Sequence, residues 1–259
     1  MGGLALRSGK NQRFETLVSS AGPGRLSNIL PGIFNQCLKL SQHLLPQNCQ
    51  LCGAKSANAL CMPCTADLPW LRGGQCSVCA MPLASGAVCG ACLDRPPRFE
   101  RVDAVFAYRF PVDTLIHAYK YGGRLALARP LGEVLAERAA RDVDAIVPMP
   151  LAHGRLAERG FNQALEIARV AAARTGIRLL PGACRKVADT PPQAALPWKE
   201  RAKNVRRAFV CDAILDGMRV AVVDDVLTTG ATLNELARVL RKAGAASVHG
   251  WIVARTLPN

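Results

Sequence analysis

Two adjacent carboxylates, Asp224 and Asp225, close an apolar run at Val220, Ala221, Val222 and Val223. A short loop follows, Thr228, Thr229, Gly230, Ala231 and Thr232, and then a helical pattern over residues 233–243 that Gly244 stops. This order reads as a buried parallel strand, a tight turn and a helix. Each part has a chemical use. The loop sets backbone N–H groups and three threonine hydroxyls at a helix N-terminus, where unpaired donors and the helix dipole favour a dianionic phosphate. Gly230 lets the backbone approach such a group closely. The two carboxylates can accept hydrogen bonds from vicinal sugar hydroxyls, so the matching ligand is a ribose 5-phosphate unit. No G-x-x-x-x-G-K-[ST] is present, and no G-x-G-x-x-G follows a strand, which excludes the two commonest nucleotide loops.

The stretch over residues 219–233 resembles the signature of the type I phosphoribosyltransferases, which bind 5-phosphoribosyl-1-pyrophosphate (PRPP). The resemblance implies a parallel α/β sheet flanked by helices. It implies Asp224 and Asp225 as the catalytic pair, and Asp224, Asp225, Thr228, Thr229, Gly230, Ala231 and Thr232 as the PRPP cradle, with Mg²⁺ carried on the pyrophosphate. In some purine enzymes of that superfamily the first loop position is an acid that aids proton transfer to the base. Here it is Thr228. No nucleobase or other acceptor site stands out in the sequence.

A second constellation lies upstream. Four C-x-x-C pairs, Cys49/Cys52, Cys61/Cys64, Cys76/Cys79 and Cys89/Cys92, hold eight of the eleven cysteines. Each C-x-x-C turn offers half of a tetrahedral zinc site, so eight thiolates make two Cys₄ sites. The simplest pairing is sequential: Cys49, Cys52, Cys61 and Cys64 on one zinc, Cys76, Cys79, Cys89 and Cys92 on the other. A cross-braced pairing uses the same ligands. The two halves read as an internal repeat. A redox C-x-x-C, the competing reading, ordinarily occurs once and beside a βαβ pattern. Sites made wholly of thiolates leave no open position and are structural. So short a segment needs its metal to fold, and thiols in this arrangement fit a reducing cytoplasm.

The rest of the chain must position these groups. Its 259 residues are half hydrophobic, enough for one sizeable core and a small satellite. The formal net charge of +14 suits polyanionic partners, whether phosphorylated metabolites or nucleic acid. Three Trp and three Tyr do not make an extended base-stacking surface. No run of 18 apolar residues predicts membrane insertion, and the first 15 residues lack the apolar core of a secretory signal. Three segments follow: residues 1–45, an expected disordered extension with a short helix that carries Cys37 on its apolar stripe; residues 46–95, a double zinc ribbon; and residues 99–259, the α/β domain, after a Pro-rich boundary at residues 94–98.

Within the last segment the pattern predicts a strand over residues 102–110, helices over 115–121 and 125–141, a strand over 144–150, a loop and then a helix over 164–174, a strand over 178–187, and a final strand over 247–254. Lys120, just before Gly122 and Gly123, is a candidate anion contact. His117 and His249 read as packing or surface residues, and Cys184 and Cys211 as packing residues. Arg155 and Arg159, four apart in the loop after Pro148, Met149 and Pro150, are candidates to clamp a pyrophosphate. Residues 188–209 hold three prolines, and residues 185–207 carry seven basic side chains against two acidic ones, which predicts a long basic excursion. Trp198 within it is a candidate for base stacking.

Taken together, P-x-P-L at 148–151, R-G-F-N-Q at 159–163, the N-terminal C-x-x-C module and D-D-V-x-T-T-G-A-T-L at 224–233 resemble the ComF family from about residue 45 onward. These are phosphoribosyltransferase-like proteins associated with natural competence and DNA uptake. The resemblance implies single-stranded DNA and uptake-machinery proteins as partners. It marks Gln193, Arg201 and Asn204 as candidates for a lid or a nucleic-acid track, to which Lys120 is added for its place before the two glycines. Two function classes follow: glycosyl transfer from PRPP to an unidentified acceptor, or a non-catalytic module that senses PRPP or handles single-stranded DNA.

Overall fold

The computed structural model describes residues 47–187 and 207–258. Strands β3 (Arg101–Ala107), β4 (Ala145–Pro148), β5 (Arg178–Leu179), β8 (Arg219–Leu227) and β9 (Ser247–Arg255) form one parallel sheet in the order β3-β9-β8-β4-β5. Side chains alternate across β8. Val220 and Val222 pack on one face against Leu233, Leu236 and Leu240 of α7 (Ala231–Lys242). Ala221 and Val223 face the other side, with residues of α3 (Val112–Tyr121), α4 (Ala128–Arg138) and α6 (Gln163–Thr175). Burial on both faces explains the unbroken apolar runs of β8 and β9. Gly250 is needed for close packing: a Cβ there would sit 2.8 Å from a Leu233 methyl.

The topology creates a crevice. After β4 the chain moves outward to β5, and after β8 it moves the opposite way to β9, by helices on opposite faces. Ligands in open α/β sheets bind at such a divergence, beyond the carboxyl ends of the strands. Pairing between β4 and β8 stops at Pro148 opposite Val223, so Asp224 is the first residue past the join. On its other edge β8 stays paired with β9 as far as Leu227.

The cysteine module comprises β1 (Gln47–Asn48) with β2 (Lys55–Ser56), α1 (Met62–Ala66) and α2 (Gly90–Asp94). It is seated on the outer edge of β3. The Leu71 N–H donates to Val105 O at 2.9 Å and the Ala107 N–H to Pro69 O at 2.8 Å, which covers an otherwise open sheet edge. Trp70 packs on Phe106 with ring centres 4.6 Å apart and planes tilted by 52°, and Cys49, Leu60 and Leu68 join the cluster around Phe106.

Three expectations are revised. The strand expected over 178–187 is two: β5 ends after Leu179, and β6 (Cys184–Lys186) turns away to pair antiparallel with β7 (Phe209–Cys211) in a separate ribbon, because Pro181 and Gly182 interrupt it. The loop expected over 151–163 contains a helix, α5 (His153–Arg159), closed by Gly160 in the left-handed region at φ 76°. The helix expected from residue 115 starts at Val112. Gln193, Arg201, Asn204, Trp198 and Cys37 lie outside the described residues. Among the described residues no helix is long and apolar enough to cross a membrane.

Candidate functional site

The two carboxylates leave β8 on opposite faces, and that parity gives them different surroundings. Asp225 points toward α3. Its Oδ1 lies 2.9 Å from Lys120 Nζ, and both side chains are buried, at 5% and 19% exposure. Lys120 is therefore the charge partner of an aspartate rather than an outward-facing contact. Gly122 ends its helix, and no larger residue fits there, since a Cβ would meet Ala118 O at 2.7 Å. Asp225 Oδ2 is buried and without a partner among the described residues, as are Arg159 Nε and Gln163 Oε1. A buried carboxylate oxygen left open is costly unless a ligand or water completes it.

Asp224 points to the α7 side and accepts the Asp225 N–H at 2.9 Å. Burial and the negative charge of Asp225 raise its carboxyl to about 7, against the opposing charges of Lys120 and Lys186. The loop that follows is a helix start. Gly230 takes φ 80° as N-cap of α7, and Thr229 Oγ1 accepts the Ala231 N–H at 3.1 Å. A Cβ on Gly230 would meet only the Phe99 ring, at 3.6 Å, so the backbone conformation rather than space requires glycine.

Arg159 closes α5, and its Nη2 donates to the Tyr121 hydroxyl at 3.0 Å with the guanidinium 4.8 Å from that ring's centre. Tyr121 follows Lys120 directly, so Arg159 is brought to the same helix end. Arg155, one turn earlier in α5, is half-buried. Asn162 serves as a fastener: its Oδ1 caps α6 through the Ala164 N–H at 3.0 Å, and its Nδ2 donates to Met149 O at 3.1 Å. The R-G-F-N-Q stretch thus fixes the proline-framed loop to α6. Beside it opens a cavity of about 550 Å³ lined by Pro148, Pro150, Phe161, Asn162, Cys184 and Lys186, among others. His117 is exposed and packs on Tyr121, while His249 is buried beside Arg101.

Sequence reasoning missed Arg255, at the end of β9 and only 4% exposed. Its Nη1 donates to Leu227 O at 3.0 Å, to Thr228 O and to Thr256 O at 2.9 Å, and its Nε to Cys79 O at 3.2 Å. One guanidinium ties the start of the threonine loop to the second cysteine knuckle. The only signal in the sequence is an arginine that closes the strand directly after the apolar run Trp251, Ile252, Val253 and Ala254.

The eight cysteines fall into the two sequential groups, Cys49, Cys52, Cys61, Cys64 and Cys76, Cys79, Cys89, Cys92, with the sulfurs of each group within 4.8 Å of one another. Cross-bracing is thereby excluded. Cys52 and Cys61 sulfurs are 3.7 Å apart, and Cys79 and Cys89 sulfurs 3.6 Å. A tetrahedron with Zn–S bonds of about 2.3 Å has edges of about 3.8 Å, so both groups fit zinc. Burial opposes ionisation of Cys49, but the N–H groups of Cys52, Cys61 and Leu51 outweigh it and bring the thiol down to about 6. Cys76 repeats this, also at about 6, through Cys89, Cys79 and Val78. Conversely Cys61 and Cys52 push Cys64 up to about 12: four sulfurs this close do not ionise together without a cation.

Family models match a double zinc ribbon domain over residues 40–93 and a phosphoribosyl transferase domain over residues 200–256. These define the class: a type I phosphoribosyltransferase-like parallel sheet carrying a zinc-ribbon module. Among solved structures, the allosteric regulatory enzyme of purine biosynthesis is 25% identical and covers 52% of this chain and 29% of its own, with a TM-score of 0.38. The adenine phosphoribosyltransferase of Rhodothermus marinus is 21% identical over 52% of this chain and 70% of its own, with a TM-score of 0.31. The DNA utilization protein YhgH of Salmonella typhimurium is 33% identical over 221 residues, 76% of this chain and 97% of that one. Competence protein F of Haemophilus influenzae is 31% identical over 223 residues, with the same shares. Competence protein ComFC of Bacillus subtilis is 25% identical, over 78% of this chain and 86% of its own. The chain belongs to the ComF family of competence and DNA-utilization proteins.

Proposed function

We propose that the crevice between β4 and β8 binds PRPP. The observation that carries this reading is Asp225: its Oδ1 is held by Lys120, its Oδ2 is buried and open, and a threonine-rich loop that leads into a helix N-terminus begins three residues later. Asp225 accepts a ribose hydroxyl, and Asp224, set near 7, accepts the second or holds a proton beside it. The N–H and hydroxyl groups of Thr228, Thr229, Gly230, Ala231 and Thr232 receive the 5-phosphate. Arg155 and Arg159 flank the pyrophosphate. Mg²⁺ carried on the ligand would supply charge neutralisation at that leaving group. Binding of this kind supports glycosyl transfer through an oxocarbenium-like transition state. With Thr228 in place of an acid, proton transfer to a purine at that position is not part of the reading.

A second reading concerns DNA. The net charge of +14 and the printed names of the relatives support contact with single-stranded DNA in the cytoplasm, beside the uptake proteins that deliver it. Pocket and DNA surface are compatible on one chain. The test is calorimetric titration of PRPP with Mg²⁺ into zinc-loaded protein and into the Asp224→Asn/Asp225→Asn variant. Micromolar binding lost in the variant supports the pocket; no binding by the folded wild type rejects it. DNA titration at several salt concentrations follows, with a steep loss of affinity expected for phosphate contacts and affinity in the double variant unchanged.

A further inference from the structure

Among the described residues, two cysteines stand outside the zinc clusters, Cys184 and Cys211. They are far apart in sequence and directly opposite each other in the β6–β7 ribbon, whose register pairs Cys184 with Cys211, Arg185 with Val210 and Lys186 with Phe209. The hydrogen bonds at the ends of this ladder identify which rungs are bonded. The Asp212 N–H donates to Ala183 O at 3.0 Å, and the Val187 N–H donates to Ala208 O at 2.8 Å. Bonded and non-bonded pairs alternate along an antiparallel ladder, so 183/212, 185/210 and 187/208 are bonded and 184/211 is a non-bonded rung. Side chains approach most closely on that kind of rung, with Cα atoms about 4.5 Å apart, inside the range a disulfide spans. The Lys186 ammonium lies 5.9 Å from the centre of the Phe209 ring on the next such rung, two residues along on the same face.

We infer that Cys184 and Cys211 form a reversible cross-strand disulfide when the folded, zinc-loaded protein meets a peroxide. Cys211 is the half-exposed member and Cys184 the buried one. A peroxide reaches the half-exposed Cys211 first, while burial and the neighbouring Cys211 hold the Cys184 thiol up. The Cys211 thiolate attacks one oxygen of hydrogen peroxide. The O–O bond breaks, hydroxide leaves and takes a proton to become water, and Cys211 becomes a sulfenic acid. The Cys184 sulfur then attacks the Cys211 sulfur. The S–S bond forms as the S–O bond breaks, and the departing hydroxide takes the Cys184 proton as water. In sum two thiols and one peroxide give one disulfide and two waters. The oxidised form braces the strand whose Cys184, Arg185 and Lys186 wall the 550 Å³ cavity, and removes a thiol from that wall. The inference does not depend on what the cavity binds.

The test treats the full zinc-loaded chain with hydrogen peroxide, blocks remaining thiols by alkylation and maps peptides by mass. The expected result is one linked pair joining the Cys184 and Cys211 peptides, with two zinc ions retained, reversal by dithiothreitol and a melting temperature raised by on the order of 5 °C. In Cys184→Ser a dimedone adduct is expected at Cys211; in Cys211→Ser neither adduct nor linkage is expected at Cys184. Separate alkylation of both peptides after the zinc cysteines have oxidised overturns the inference. So does linkage that appears only after zinc has left, or linkage of either cysteine to a zinc ligand. The wild-type map decides the matter should a variant fail to fold.

Discussion

The two cysteine knuckles share one backbone and differ in what they hold. The first repeats in the second 27 residues on. The Cys49 N–H donates to Ala54 O and the Gly53 N–H to Cys49 O; the Cys76 N–H donates to Met81 O and the Ala80 N–H to Cys76 O. The strand pair Asn48 with Lys55 returns as Gln75 with Pro82. Their neighbours are different. The first belongs to the side of the sheet that carries α3, α4 and α6: Cys49, Leu60 and Leu68 share a core with Phe106 and Ile116. The second belongs to the α7 side: Ala80 joins the cluster of Phe99, Val102 and Leu233, and Cys79 O is held by the arginine that also holds the threonine loop. The two aspartates divide the same way, Asp225 toward α3 and Asp224 toward α7. A repeated local structure thus acquires two duties, one as a piece of the general core and one as a brace for the site.

That division can be broken most severely by removing one zinc at a time. Both Cys49→Ser/Cys52→Ser and Cys76→Ser/Cys79→Ser should bind one zinc per chain instead of two by elemental analysis. The first is expected to lower the melting temperature more, because it opens the core at Phe106. The second is expected to weaken PRPP binding at least tenfold (about 1.4 kcal/mol) and to speed amide exchange in residues 227–234. Equal effects on both readouts would show that the knuckles are interchangeable staples.

Next in size come the two buried cations. Lys120→Met strands the Asp225 carboxylate and should cost about 3–5 kcal/mol in denaturant unfolding, while both zinc ions remain. Arg255→Met leaves the carbonyls of Leu227, Thr228, Thr256 and Cys79 without their donor and should cost about 2–4 kcal/mol. It should also weaken PRPP binding without loss of zinc. If Arg255→Met leaves the affinity unchanged, the second knuckle does not brace the loop.

The aspartates give a pH test. Asp224 has its carboxyl raised from 3.8 to about 7 in the folded state, so the native protein holds a proton that the unfolded chain has released. Stability contributed at this site is therefore greatest below about pH 4 and falls as pH rises toward 7. Asp224→Asn should flatten that part of the melting-temperature profile and be the more stable protein at pH 8. A profile unchanged by the substitution would place the titration elsewhere.

The smallest effect separates the knuckle turns themselves. Gly53 and Ala80 occupy the same left-handed position, at φ 74° and 57°. Gly53→Ala meets no neighbour, so it should cost about 1 kcal/mol from conformation alone. Ala80→Gly relieves a similar strain but gives up a buried methyl, and a net change within about 0.5 kcal/mol is expected from thermal unfolding.

Much of this was legible because local patterns are enforced by local physics. Four C-x-x-C turns at hairpin spacing define two tetrahedral sets, since a short segment with eight thiols has few other ways to close. Doubly buried strands require continuous apolar runs, so β8 and β9 stand out. Asp224 and Asp225 followed by the threonine loop mark the strand-to-helix turn because only such a turn uses those residue types together. Less legible were α5, whose seven residues show no buried stripe, and the break between β5 and β6, where a pattern good for one strand serves the edge of the main sheet and a separate ribbon.

The tertiary structure decided what no spacing encodes. That Lys120 meets Asp225 across 105 positions depends on how α3 crosses the sheet. That Arg255 joins Cys79 to Leu227 depends on β9 lying beside β8. That Cys184 faces Cys211 depends on the register of a separate ribbon. The sequence by itself determined which groups this protein has for holding zinc and that two carboxylates and a threonine loop stand at the end of β8. The parallel sheet, by sending alternate residues of one strand to opposite faces, decided that two neighbouring aspartates have different partners: Lys120 for Asp225, and the α7 side for Asp224.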